Sequence, residues 1–252
     1  VTAPLVIAHR GDSAHRPENT LAAFASALEV GAELIELDVQ LTADGHVVVI
    51  HDGTLDRTTS GRGAVNERTL AEVRALTAGY PELFGKRYSG ERVPTLAEAL
   101  AFLRGRARVL IEMKSDSAPP GAEDGIEDRT VAEVRKAGMA RDIALLSVDT
   151  RALVRARVQA PEMARGHLFY RLPAGEMVEA AREAGCDLVM PEKGMLDDAL
   201  LQKVRAHGLK LGTWIVDEPA ELEALRRYEL FGVASNAPGR LLEALAERTS
   251  PP

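Results

Sequence analysis

Short β-rich runs alternate with helix-patterned stretches from one end of this chain to the other, and that alternation restricts its fold more than any other feature. Eight strand candidates stand out: Leu5–Ala8, Leu34–Val39, Arg108–Met113, Ala144–Val148, His167–Tyr170, Leu188–Met190, Lys210–Ile215 and Phe231–Ala234. Between them, segments such as Asn19–Glu29, Leu96–Leu103 and Leu222–Arg227 repeat apolar residues at three- and four-residue spacing, the pattern of helices laid on a sheet. Eight β/α units in 252 residues match a closed (β/α)8 barrel, the TIM-barrel class of α/β fold. An open doubly wound sheet fits less well, because no GxGxxG loop follows the first strand. One stretch breaks the rhythm. After the second strand, Thr42-Ala43-Asp44-Gly45 reads as a tight turn and His46–His51 as a returning strand. From Asp52 to Val93 the chain is rich in Gly, Thr, Ser and Arg, with a short helical piece near Leu70–Leu76, and reads as a small insertion (about 52–93) crossing the barrel mouth.

Composition sets outer limits on function. With 46% hydrophobic residues, the expectation is one barrel domain over 1–252 with a substantial core. A formal net charge of −7 argues against a general nucleic-acid binder, which needs a positive field along its contact surface. No apolar run approaches the roughly 20 residues needed to span a bilayer, so no stable membrane insertion is expected. The only cysteine, Cys186, has no internal disulfide partner. The start Val1-Thr2-Ala3-Pro4 lacks a signal-peptide pattern, so the cytoplasm is the expected compartment, with secretion or the periplasm left open. Pro119-Pro120-Gly121 marks an expected mobile loop, and the oligomeric state is unspecified.

The residues suited to chemistry fall at strand ends. His9-Arg10-Gly11 closes the first strand, where a barrel's catalytic loop begins; a lone histidine is more often structural, but one beside an arginine at such a strand end favours function. Glu36 and Asp38 are two residues apart on the second strand, so both point to one face. Paired carboxylates inside a barrel repel unless a proton or cation lies between them, which points to a hard divalent metal, with a solvated strand end as the plainer alternative. Glu112 adds a third carboxylate, and Lys114 follows on its face. Three oxygen donors suit one magnesium or calcium ion, and the absence of a Cys/His cluster weighs against structural zinc. Lys114 could neutralise a phosphate, or form an ordinary ion pair with Glu112. His51-Asp52 ends the returning strand and supplies a second imidazole, and two histidines suit proton transfer in cleaving a P–O ester. His15, His46, His167 and His207 sit in loop, turn, strand-start and helix-end contexts and are weaker candidates.

Taken together, His9-Arg10-Gly11, Pro17-Glu18-Asn19-Thr20, Glu36-Leu37-Asp38, His51-Asp52, Glu112-Met113-Lys114 and the later Trp214 resemble the glycerophosphodiester phosphodiesterase family, from His9 to about Pro238. The resemblance implies a barrel with a small insertion after its second strand. It implies one divalent cation, Mg2+ or Ca2+, on Glu36, Asp38 and Glu112, with His9 and His51 as general acid and base and Arg10 and Lys114 on the phosphate. It further implies a small glycerophosphodiester substrate, attack on phosphorus by the neighbouring hydroxyl, and a cyclic phosphate that water then opens. Trp214 would wall the glycerol or head-group carbons, unless it is simply core. Glu18 and Asn19 read as the capping and charge complement of the following helix.

Three stretches depart from the family pattern. The fourth strand has Leu146-Ser147-Val148-Asp149 where an aromatic often follows the serine, the seventh has Ile215-Val216-Asp217 after the tryptophan, and the last ends Ala234-Ser235-Asn236-Ala237-Pro238 where Thr-Asp is frequent. They are expected to touch substrate choice rather than reaction class. With 4% aromatic residues and no exposed Trp/Phe/Leu stripe, water-soluble deacylated substrates are expected. The competing readings are a lysophospholipase D or phospholipase-C-like phosphodiesterase, and a noncatalytic barrel that binds a phosphate ligand.

Overall fold

Nine strands form one sheet: β1 (Leu5–His9), β2 (Leu34–Leu41), β3 (Val47–Val49), β4 (Arg108–Met113), β5 (Ile143–Ser147), β6 (Ala164–Phe169), β7 (Leu188–Pro191), β8 (Lys210–Trp214) and β9 (Gly232–Ser235). Eight of them are parallel and run β1-β9-β8-β7-β6-β5-β4-β2; pairing of β1 with β2 closes the ring. The short β3 lies antiparallel on β2. This is the (β/α)8 barrel expected from the alternation. The structure is a computed structural model and describes residues 3–114 and 124–249; the expected Pro119-Pro120-Gly121 loop lies outside them.

The two-residue period of the strands divides their side chains between two cores. One set points outward under the helices: Ile35, Leu37 and Val39 of β2 and Val109, Ile111 and Met113 of β4 pack with Phe24, Leu100 and Leu103. Burying each large apolar side chain contributes roughly 1.5–3 kcal/mol. The other set points inward. Ile7, Leu34, Leu110, Leu146, Leu168 and Leu188 fill the barrel's lower interior. Further along the same inward rows stand His9, Glu36, Asp38 and Glu112, so parity alone carries these polar groups to the C-terminal mouth.

Helix α1 (Leu21–Glu29) starts with the Thr20 hydroxyl accepting from Ala23 N. Helix α2 (Leu70–Ala75) lies in the segment between β3 and α4 (Leu96–Leu103), as does α3 (Pro81–Phe84); capping boxes start α2 (Thr69 with Glu72) and α4 (Thr95 with Glu98). This segment has its own apolar cluster around Leu55, Val65, Val73 and Val93. Gly11 has φ +83°, and a Cβ there would meet the Ala23 backbone at 2.6 Å, so the chain leaving β1 turns tightly against α1.

Several boundaries differ from the sequence reading. β6 begins at Ala164, before His167, because pairing with β5 and β7 draws in Ala164-Arg165-Gly166 despite their weak β propensity. The returning strand shrinks to Val47–Val49, and in place of the expected Leu222–Arg227 helix there is a helix over Pro219–Ala224 followed by a 3-10 turn at Arg226–Tyr228. No helix among the described residues is long and apolar enough to cross a membrane.

Candidate active site

The ends of the strands surround a cavity of about 550 Å³. Its polar side is formed by His9 and Arg10 from β1, Glu36 from β2, Glu112 and Lys114 from β4, and His51 after β3. Opposite stand Leu146, Val148, Leu168, Tyr170, Met190 and Trp214. All eight residues singled out in the sequence meet here: seven line the cavity, and Asp38 lies buried beneath it.

Glu36, Asp38 and Glu112 are 5%, 0% and 8% exposed, and each places an oxygen within 4.8 Å of the others'. Burial, reinforced by the Asp38 and Glu112 charges, pushes the Glu36 carboxyl well above its usual range. Burial and the Asp38 charge raise Glu112 to about 7. Asp38 is the exception: burial works against its charge, but Lys114 and Arg10 outweigh it and hold the carboxyl well below normal. Lys114 Nζ lies 2.7 Å from Glu112 Oε1 and 2.9 Å from Asp38 Oδ1, and Arg10 Nε is 3.1 Å from Asp38 Oδ2. Both Asp38 oxygens are thus held in buried ion pairs, Oδ1 with the Lys114 ammonium and Oδ2 with the Arg10 guanidinium. The three buried carboxylates, with oxygens converging within 4.8 Å, form a hard donor set that fits a divalent cation. The ion-pair alternative for Lys114 is therefore realised with two acids at once.

His51 Nδ1 is 2.6 Å from Asp52 Oδ1, and its backbone carbonyl accepts from Gln40 Nε2 at 3.1 Å. Asp52 in turn receives Arg57 Nε at 2.7 Å, which is the first cause of its carboxyl falling to about 2. Arg57 also donates to both oxygens of Glu18, at 2.7 and 2.8 Å, and Glu18 accepts from Arg10 at 3.0 Å. An ion-paired chain thus links His51 to Arg10 through Asp52, Arg57 and Glu18. Burial depresses both imidazoles, His9 to about 4, with the Arg10 charge adding to the effect.

Glu18 and Asn19 require a correction, since neither caps α1. Thr20 does that, while Asn19, at φ 58°, donates Nδ2 to Asp38 Oδ2 at 2.8 Å and accepts from Asp38 N at 3.2 Å. Asn tolerates the left-handed region better than most residues, so its identity serves the backbone and the carboxylate together. A short polar residue just before a capping threonine was the available signal. Trp214 donates Nε1 to Met190 O at 2.9 Å, which fixes the indole on the apolar side of the cavity.

Residues 9–240 match the model of the glycerophosphoryl diester phosphodiesterase family. The chain belongs to this family. A glycerophosphodiester phosphodiesterase of Caldanaerobacter subterraneus is 36% identical over 94% of this chain and 96% of its own length. One from Bacillus subtilis is 32% identical over 93% and 84%. Among solved structures, an Oleispira antarctica phosphodiesterase in complex with the product sn-glycerol-3-phosphate superposes with TM-score 0.84 at 29% identity, covering 97% of each chain. A glycerophosphodiester phosphodiesterase of Agrobacterium tumefaciens gives 0.82 at 30% identity, over 95% of this chain and 99% of the other.

Against the family pattern, the three departures separate. Val148 lines the cavity, as a change in substrate choice requires. Asp217 and Asn236 instead meet each other behind His9, with Asn236 Nδ2 donating to Asp217 Oδ2 at 3.0 Å, so they bear on a proposed catalytic group. Exposure of Tyr170 (57%) and Val148 also places more apolar surface at the mouth than composition suggested.

Proposed function

We propose that the chain hydrolyses glycerophosphodiesters to glycerol 3-phosphate and an alcohol, using His9 and His51 for proton transfer beside a cation held by Glu36, Asp38 and Glu112. The supporting observation is the convergence of both histidines, the carboxylate cluster, Arg10 and Lys114 on one cavity. Magnesium or calcium in the cluster would supply Lewis-acid polarisation and neutralise charge gathering on the phosphoryl oxygens.

The chain's own groups do the rest. Arg10 and Lys114 stand at the polar wall to receive phosphate, with the apolar wall from Leu146 to Trp214 left for carbon. The hydroxyl next to the phosphate attacks phosphorus and gives its proton to one imidazole; the other protonates the departing alcohol oxygen. Water then opens the resulting cyclic phosphate with the two proton transfers reversed. Asp52, anchored by Arg57, holds the His51 ring through Nδ1 and leaves Nε2 for this exchange.

The exposed Val148 and Tyr170 support a second reading, in which a lysolipid places its chain across that rim. One assay separates the readings: release of glycerol 3-phosphate from glycerophosphocholine, with chelator and then with magnesium or calcium restored, beside lysophosphatidylcholine. Metal-restored turnover of the first substrate supports the main reading. Turnover confined to the lysolipid replaces it, and no turnover of either with any cation rejects both.

A further inference from the structure

Asp217 accepts three hydrogen bonds in a fixed order. Its Oδ1 receives the backbone N–H of Asn236 at 2.7 Å and the Ser235 hydroxyl at 3.0 Å, and its Oδ2 receives Asn236 Nδ2. A carboxylate offers no proton in return, so the Asn236 amide has one orientation: nitrogen toward Asp217, oxygen away. That oxygen lies 2.7 Å from His9 Nδ1 and can only accept, so Nδ1 must carry the hydrogen. The bare Nε2 is then left on the cavity side of the ring, 4.0 Å from Glu36 Oε2. The Ser13 hydroxyl, 2.8 Å from His9 O and 3.1 Å from Asn236 Oδ1, can donate or accept, so it suits this order without fixing it. His51, by contrast, is backed directly by a carboxylate.

We infer that Asn236 and Asp217 are positioning residues that lock His9 in its Nδ1–H tautomer, so that Nε2 faces the substrate as a proton acceptor. The inference deepens the proposed function and rests on it for the catalytic part. The tautomer part stands on hydrogen-bond polarity alone. For the catalytic part, the lock makes His9 Nε2 available to take the proton of the attacking hydroxyl in the first step.

The polarity of the relay can be reversed by single-atom changes. In Asp217→Asn, the new amide oxygen stays pinned by the Asn236 N–H and Ser235, so its NH2 faces Asn236. The Asn236 amide must then turn over, present its own NH2 to His9 Nδ1, and drive the ring to the Nε2–H tautomer. In the exchange Asn236→Asp with Asp217→Asn, the amide introduced at position 217 donates to the carboxylate introduced at position 236. That carboxylate accepts from Nδ1, and the original tautomer returns. Relative to the parent protein the hydrogen bond between positions 217 and 236 is reversed, and the negative charge moves from position 217 to position 236, beside His9 Nδ1.

The test uses the full chain labelled with 15N-histidine, read at pH 8 by two-bond 1H–15N correlation without substrate, with His9 assigned by its loss in His9→Gln. The parent shows a protonated Nδ1 and bare Nε2 at His9, Asp217→Asn inverts the pattern, and the double exchange restores it. Turnover follows: kcat falls on the order of 10³-fold in Asp217→Asn, the scale of a wrong catalytic tautomer, with KM changed less than about threefold, and recovers in the exchange. An Nε2–H tautomer in the parent, or an unchanged one in Asp217→Asn, overturns the inference. Inversion with kcat unmoved overturns the catalytic part, and inversion in a protein that turns over no phosphodiester shows that the tautomer lock holds while the proposed function fails.

Discussion

Replacing Asn19 tests whether the buried carboxylate cluster is held by the loop before α1. Asn19 is 4% exposed, sits at φ 58°, and donates to Asp38, which is 0% exposed. In Asn19→Ala the carboxylate loses a charge-assisted hydrogen bond, costing ~1.5–3 kcal/mol. Alanine must also adopt the left-handed region, which adds ~1 kcal/mol. Asn19→Gly loses the same hydrogen bond without that backbone penalty. Urea unfolding in chelator should therefore show Asn19→Ala destabilised by roughly 3 kcal/mol and Asn19→Gly by about 2, with the difference reporting the backbone. Calorimetric titration should show cation affinity falling by about 10–100-fold in both, because Asp38 loses the group that orients it. Losses under about 0.5 kcal/mol in both variants, the range of an ordinary surface change, with cation affinity intact, would refute this account of the cluster.

Other perturbations have equally definite outcomes. Glu36→Gln or Asp38→Asn should weaken cation binding and turnover together, read by calorimetry and glycerol 3-phosphate release. In chelator, Glu112 titrates near 7 in the folded protein against 4.5 unfolded, so the folded state holds more protons across that window and stability drops as pH rises through it. His9 acts oppositely between about 4 and 6.5, so the comparison is with Glu112→Gln: that variant should gain on the parent from pH 5.5 to 8 in chelator and lose the gain with saturating cation. Arg57→Met should cut kcat by about 10²-fold with a smaller change in KM, because Asp52 and His51 lose their anchor. The Cys186 thiol, pushed by burial to about 12, should resist a disulfide reagent until urea unfolds the chain.

Much of this architecture was legible because it is periodic. The alternation of strand and helix gave the barrel, and the two-residue period put Glu36 with Asp38 and Glu112 with Lys114 on the inward rows. What escaped sequence reasoning depends on contacts without a period. Asn19 reaches Asp38 across 19 residues, Arg57 reaches Glu18 across 39, and His9 reaches Asn236 across 227. A capping-type residue before a helix looks the same whether it serves that helix or a carboxylate on the next strand. Asn236 and Asp217 stood out only as departures, and their shared contact with each other needed the closed ring to be seen. The start of β6 was missed because Ala164-Arg165-Gly166 is recruited by its neighbours rather than by its own preference.

The central claim separates cation binding from proton transfer, and His51→Ala tests that separation most directly. Magnesium or calcium is titrated calorimetrically into the parent and the variant, and glycerol 3-phosphate release from glycerophosphocholine is followed in the same samples. The account predicts cation affinity within about threefold of the parent, because His51 lies outside the carboxylate cluster, with turnover reduced by on the order of 10²–10⁴-fold. Turnover near the parent's level, or cation affinity lost along with turnover, would contradict it.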